Sequence, residues 1–214
     1  MTELAYLHGF ASGPASRKGR ALAAAFARVG RRLQLPDLNV PSFAELSYAG
    51  MLAGVDALDA AAGRPPRWSF IGSSMGGWVA ARWAELHPDR VGRLLLLAPG
   101  LDLPNRWRQL ISAEELAQWS LRGWIEANDG GGVPRRLHWG FMEDARRQPP
   151  LPAPTCPVLV LHGRRDDVVP LAVSEAWAAG RPNVTLEVLD DDHDLLVSLP
   201  RIEERALSWL GAAD

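Results

Sequence analysis

Trp68-Ser69-Phe70-Ile71 runs into Gly72-Ser73-Ser74-Met75-Gly76, and that into Trp78-Val79-Ala80-Ala81-Arg82-Trp83-Ala84 before Pro88. A short apolar strand, a Gly-x-Ser-x-Gly turn and a helix in this order form a nucleophile elbow. The sharp turn lifts Ser74 into the open. Gly72 and Gly76 are needed because the turn presses those two positions against neighbouring backbone. Ser74 also stands at a helix N-terminus, where backbone N–H groups favour developing negative charge.

Outward from the elbow, apolar strand-like runs recur at Leu4–Leu7, Arg32–Leu35, Trp68–Ile71, Leu94–Leu97, Val158–Leu161 and Val184–Val188. Helical patterns lie between most of them: Ser16–Val29 with Gly30 as its stop, Phe43–Ala62, Ser74–His87, Leu171–Ala179 and Pro200–Leu210. Such alternation predicts an α/β fold of about six mostly parallel strands with helices on both faces. Leu101 to Pro154 breaks the rhythm. It shows no convincing strand, holds Trp107, Trp119, Trp124 and Trp139, and contains Gly130-Gly131-Gly132, read as a hinge or mobile turn. An insertion of this length is usually functional. The expected organisation is one domain over residues 1–214, with residues 101–154 inserted as a helical cap over the carboxyl edge of the sheet, where open α/β folds bind ligands. The four tryptophans then become candidate substrate-binding residues under the cap.

Composition narrows the function classes. The 214 residues are 47% hydrophobic and 22% charged, with a net charge of −2. That balance gives no electrostatic case for binding nucleic acid. Lys18 is the only lysine against 22 arginines, a bias that points to a GC-rich genome rather than a binding surface. Cys156 is the only cysteine, which excludes an internal disulfide and a thiolate metal cluster, and it reads as a small buried hydrophobe. No stretch approaches a membrane span, and Met1-Thr2-Glu3-Leu4-Ala5 does not read as a leader, so a cytoplasmic enzyme is the expectation.

A serine hydroxyl needs a base, and the base needs an orienting group. Of five histidines, His87 ends the helix that Ser74 begins, about 20 Å away at the α-helical rise. His8 and His162 each end a strand in Leu-His-Gly, where a histidine more often fixes the loop backbone. His138 falls in the insertion, at the surface. A triad built on an elbow runs Ser, acid, His along the chain, and only His193 leaves room for an acid before it. The acid should lie after the penultimate strand, in Leu161-His162-Gly163-Arg164-Arg165-Asp166-Asp167, and both aspartates qualify by position. Donors to an oxyanion should be the backbone N–H of Met75 and, from the loop Leu7-His8-Gly9-Phe10, that of Phe10. The run Asp190, Asp191, Asp192, His193, Asp194 lacks metal-ligand spacing and reads as an acidic loop.

With these segments together, the chain resembles the α/β-hydrolase superfamily, in particular small serine esterases and thioesterases of the monoacylglycerol-lipase and acyl-protein-thioesterase type. The resemblance rests on Leu7-His8-Gly9-Phe10, Gly72–Trp78, Cys156-Pro157 through Pro170 and Asp192-His193, in the family order across nearly the whole chain. It implies Ser74 as nucleophile, Asp166 as acid, three residues after Gly163, and His193 as base. It also implies a carboxylic-ester hydrolase that needs no cofactor or metal and acts on a small-molecule acyl ester. A thioesterase with the same triad is the nearest alternative. A peptidase, a carbon–carbon hydrolase and a binding protein that has lost turnover stand further off.

Overall fold

The computed structural model describes residues 2–211. Six strands form one sheet: β1 (Glu3–Leu7), β2 (Leu33–Gln34), β3 (Trp68–Ser73), β4 (Val91–Leu97), β7 (Val158–Gly163) and β8 (Val184–Leu189). Their spatial order is β2-β1-β3-β4-β7-β8, every neighbouring pair parallel. The unbroken apolar runs have the cause expected of strands covered on both sides. In β4, Leu94 and Leu96 enter the core beneath α2 (Tyr48–Ala61) and α3 (Met75–Leu86). Leu95 and Leu97 enter the opposite core with α1 (Arg17–Arg28) and α8 (Leu199–Leu210). A further helix, α7 (Leu171–Ala178), buries Trp177 on the α2–α3 side.

Strand order reverses between β1 and β3. The chain moves from β1 outward to β2, then returns past β1 to β3 and on toward β8. At such a switch point the loops leaving two adjacent strands diverge and open a crevice. The elbow leaves β3 there, beside the loop that leaves β1.

Two sequence expectations need correction. The second helix begins at Tyr48 rather than Phe43. Ser47 accepts a hydrogen bond from the Gly50 N–H and caps it, while Phe43 and Leu46 are buried ahead of the cap in a non-helical turn. Their burial prolongs the apolar pattern past the helix itself.

The second correction concerns the insertion, which is not wholly helical. It holds α4 (Leu103–Leu110), α5 (Ala113–Arg122) and α6 (Gly140–Ala145), but also an antiparallel pair, β5 (Trp124–Asn128) and β6 (Pro134–His138). In β6 only Leu137 is buried, so hardly any alternation is left to read. The three glycines form the turn of this hairpin. Asp129 Oδ1 accepts from Gly131 N–H and Val133 N–H, and Gly132 takes φ +74°. A Cβ on Gly130 would lie 2.5 Å from the Ser12 carbonyl carbon, so the turn is docked on the loop after β1.

Among the described residues, no helix is long and apolar enough to cross a membrane.

Candidate active site

Ser74 carries the strain its position demands, with φ 51° and ψ −122°, a region costing about 1–3 kcal/mol for a residue with a Cβ. Four contacts over-determine it. Its N–H donates to Leu97 O, and its carbonyl accepts from Gly77, Trp78 and Gly100. The glycines of the motif are required by space. A Cβ on Gly76 would meet Leu7 O at 2.1 Å, and one on Gly72 would meet Gly76 O at 2.5 Å. Met75 N–H, at the first position of α3, has no intrahelical acceptor and remains for a ligand.

Gly9 places the other loop. Its Cβ would lie 3.1 Å from Ser74 Cβ, so this backbone passes directly over Ser74. His8 sets that path from below: Nε2 accepts from Leu38 N–H at 2.9 Å, which leaves the hydrogen on Nδ1, 2.9 Å from Gly9 O. Phe10 fixes the next residue by packing its ring against Phe43, Trp107 and Phe141.

His193 stands between Ser74 and Asp166. Its Nε2 is 2.9 Å from Ser74 Oγ, and its Nδ1 is 2.8 Å from Asp166 Oδ2. Burial alone would raise the Asp166 pKa. Hydrogen bonds from His162, His193 and the Val169 N–H outweigh it and hold the carboxyl well below the usual range. An ionised carboxylate can only accept, so Nδ1 of His193 carries the hydrogen and Nε2 turns a lone pair toward the serine hydroxyl.

Both oxygens of Asp166 are filled. Oδ1 accepts from Val168 N–H at 3.0 Å and Val169 N–H at 2.8 Å. Oδ2 receives His193 and also His162 Nε2, at 3.1 Å. His162 is fully buried, with Nδ1 2.8 Å from Ser174 Oγ and Nε2 2.8 Å from Val169 O. It fixes the loop backbone, as its place at a strand end suggested, and it also touches the acid, which its position in the sequence did not signal. Asp167 is exposed, so of the two adjacent aspartates only Asp166 faces His193.

The loops bearing Asp166 and His193 are stapled together. Arg164 N–H donates to Leu189 O, Arg165 N–H to Asp191 O, and the Arg165 guanidinium pairs with Asp190. Asp191 is buried and accepts from Asp192 N–H and Ser198 N–H. At least part of the acidic run therefore shapes the loop. Cys156 is buried, its thiol pushed up to about 11 by desolvation.

Ser74 and His193 open on a cavity of about 270 Å³ whose wall includes Phe10, Ser12, Ser16 and Lys18. None of Trp107, Trp119, Trp124 and Trp139 lines it. They build the insertion instead. Trp107 Nε1 donates to Tyr48 Oη, and Trp119 Nε1 to Leu137 O. Trp139 packs edge-on to Trp119, and Arg136 lies over Trp124. Trp119, 1% exposed, should act as a core residue. Trp119→Ala is expected to cost about 3–5 kcal/mol in denaturant unfolding. Trp107 touches Phe10, which stands in the cavity wall.

The model of the Uncharacterised protein family UPF0227 matches residues 3–204. The chain is similar to the mitochondrial palmitoyl-protein thioesterase ABHD10 of Pongo abelii, 30% identical over 149 residues, which are 64% of this chain and 45% of that protein. It thus spans less than half the length of that relative. It is also similar to the 2-hydroxymuconate semialdehyde hydrolase of Pseudomonas putida, 28% identical over 219 residues, covering 85% of this chain and 76% of that one. Its fold matches the structure of mouse alpha/beta hydrolase domain-containing protein 10 with a TM-score of 0.76 at 19% identity, over 98% of this chain and 89% of that one.

Proposed function

The chain belongs to the UPF0227 family and has the α/β-hydrolase fold, and from that premise we propose that it is a serine hydrolase of small acyl esters. The observation that carries this reading is the continuous path Ser74 Oγ, His193, Asp166, with links of 2.9 and 2.8 Å. Ser74 Oγ attacks the acyl carbonyl carbon while His193 Nε2 takes its proton. The oxyanion is received by the N–H groups of Met75 and Phe10. The tetrahedral intermediate collapses, the ester C–O bond breaks, and the proton on His193 passes to the departing alkoxide. Water then attacks the Ser74 acyl group with His193 again as base, releasing the carboxylic acid and restoring Ser74. Asp166 holds the imidazole in the productive tautomer throughout and stabilises the imidazolium. The insertion acts in this reading as a cap, reaching the site through Phe10 and Ser12.

An acyl thioesterase is the second reading. It is favoured by the name of the ABHD10 relative and uses the same steps with a thiolate leaving. One preparation assayed on matched oxygen esters and thioesters, with acyl chains from acetyl to octanoyl, separates the two. A fluorophosphonate probe should label one peptide, the one containing Ser74. Labelling elsewhere, or hydrolysis of neither class, would remove the serine-hydrolase reading.

A further inference from the structure

Lys18 stands at the second position of α1, in the wall of the cavity that opens on Ser74 and His193. It is the only lysine of the chain. A long cationic side chain on a helix ordinarily runs its stem over apolar surface and keeps its head in water. Here Nζ is tied to the backbone carbonyl of Asp194, 2.8 Å away, one residue past the base.

The ion pairs of the described residues include none with Lys18. The carboxylates of Asp194, Asp166, Asp191 and Asp192 act on it only through space, while burial works against its charge. Burial of this ammonium outweighs the attraction of those carboxylates, so without a direct counter-ion its desolvation cost is only partly offset. It also has three N–H groups, of which the Asp194 carbonyl takes one.

The surroundings are mixed, with Phe10, Ala11 and Leu196 in the wall beside several hydroxyl groups. Tyr6, Ser12, Ser16 and Ser73 share the cavity wall with Lys18, and none of the four tryptophans reaches it. The compact head of lysine suits a space of about 270 Å³ better than the planar fork of arginine, although arginine is the common basic residue of this chain.

We propose that Lys18 is a specificity-determining residue that pairs with a carboxylate carried by the substrate, so that the preferred ester is short and anionic. The inference deepens the proposed serine-hydrolase activity and rests on it. The carboxylate could belong to the acyl group or to the leaving group, and each is probed separately. Mono-p-nitrophenyl glutarate carries it on the acyl side and is compared with p-nitrophenyl valerate. Acetoxybenzoate carries it on the leaving side and is compared with acetoxybenzamide.

The readout is the anionic-to-neutral ratio of kcat/KM within each pair. Wild type should favour the anionic ester in one pair, and Lys18→Met should lower that ratio by roughly 10- to 100-fold, the range of a charge-assisted hydrogen bond. Lys18→Arg should keep part of it. If Lys18 merely tethers the His193 loop through Asp194, both esters of a pair lose equally and the ratio stays put, which overturns the proposal while leaving the hydrolase standing. Titration of mono-p-nitrophenyl glutarate and of acetoxybenzoate into Ser74→Ala and into Ser74→Ala/Lys18→Met by calorimetry reads the same pairing without turnover. At least a tenfold weaker affinity for one of the two ligands is expected when Lys18 is replaced, and equal affinities for both would overturn the proposal whatever the assays show.

Discussion

Ser74→Ala should lower kcat on a p-nitrophenyl ester by roughly 10⁴- to 10⁶-fold with the melting temperature little changed, and His193→Ala should do the same. Stability should be spared because alanine keeps the Cβ, and with it the same φ of 51° that serine already tolerates. The backbone bonds from Ser74 to Leu97, Gly77 and Gly100 do not involve the hydroxyl. In the proposed mechanism Ser74, His193 and Asp166 act in series, so neither the base nor the nucleophile is useful alone. The double variant should therefore be little slower than either single one. Residual hydrolysis would come from the oxyanion donors and substrate binding. Retention of most activity by Ser74→Ala would show that the 2.9 Å contact with His193 is a structural hydrogen bond and that any hydrolysis arises elsewhere.

The elements that made this site readable are those where one local constraint has one solution. Gly72 and Gly76 flank Ser74 because the turn leaves no volume for a Cβ, and this is visible as a spaced motif. The central strands were legible because burial on both faces leaves apolar runs such as Leu94–Leu97 without polar interruption. His193 was legible by chain order. What stayed hidden depends on contacts between distant segments. Whether Asp166 or Asp167 faces the base is settled by how the loop after β7 turns, which Val168, Val169 and His162 fix together. The hairpin in the insertion escaped because only Leu137 of β6 is buried. The tryptophans drew attention as large apolar groups, yet the Trp119 N–H bonds within the insertion and the Trp107 N–H bonds to Tyr48. Lys18 shows the converse. Sequence marks it as the sole lysine, but only the approach of α1 to the His193 loop places it in the wall of the cavity that opens on Ser74.

Asp166→Asn should reduce kcat/KM by about 10⁴-fold, whereas Asp167→Asn, at an exposed position, should stay within roughly threefold of wild type. The asymmetry follows from the donors around Asp166. Its Oδ1 meets two backbone N–H groups, and its Oδ2 meets the ring N–H groups of His193 and His162. An asparagine amide must set its NH₂ against one of these donor pairs. Facing the histidines, it drives His193 to the other tautomer, and Ser74 then meets an N–H instead of a lone pair. Facing Val168 and Val169, it breaks the loop that holds the side chain. Either way a buried donor is left unsatisfied, at about 1–3 kcal/mol of stability. This stability difference should depend on pH in a set direction. The Asp166 carboxyl is held below its unfolded value, so the stabilisation is fully present above about pH 4 and is lost as pH falls toward the depressed folded value. The gap in unfolding free energy between wild type and Asp166→Asn should therefore be widest near neutrality and narrow between about pH 4 and pH 2. A gap that stays constant down to pH 2 would mean that the ionised carboxylate contributes nothing to holding these two loops together.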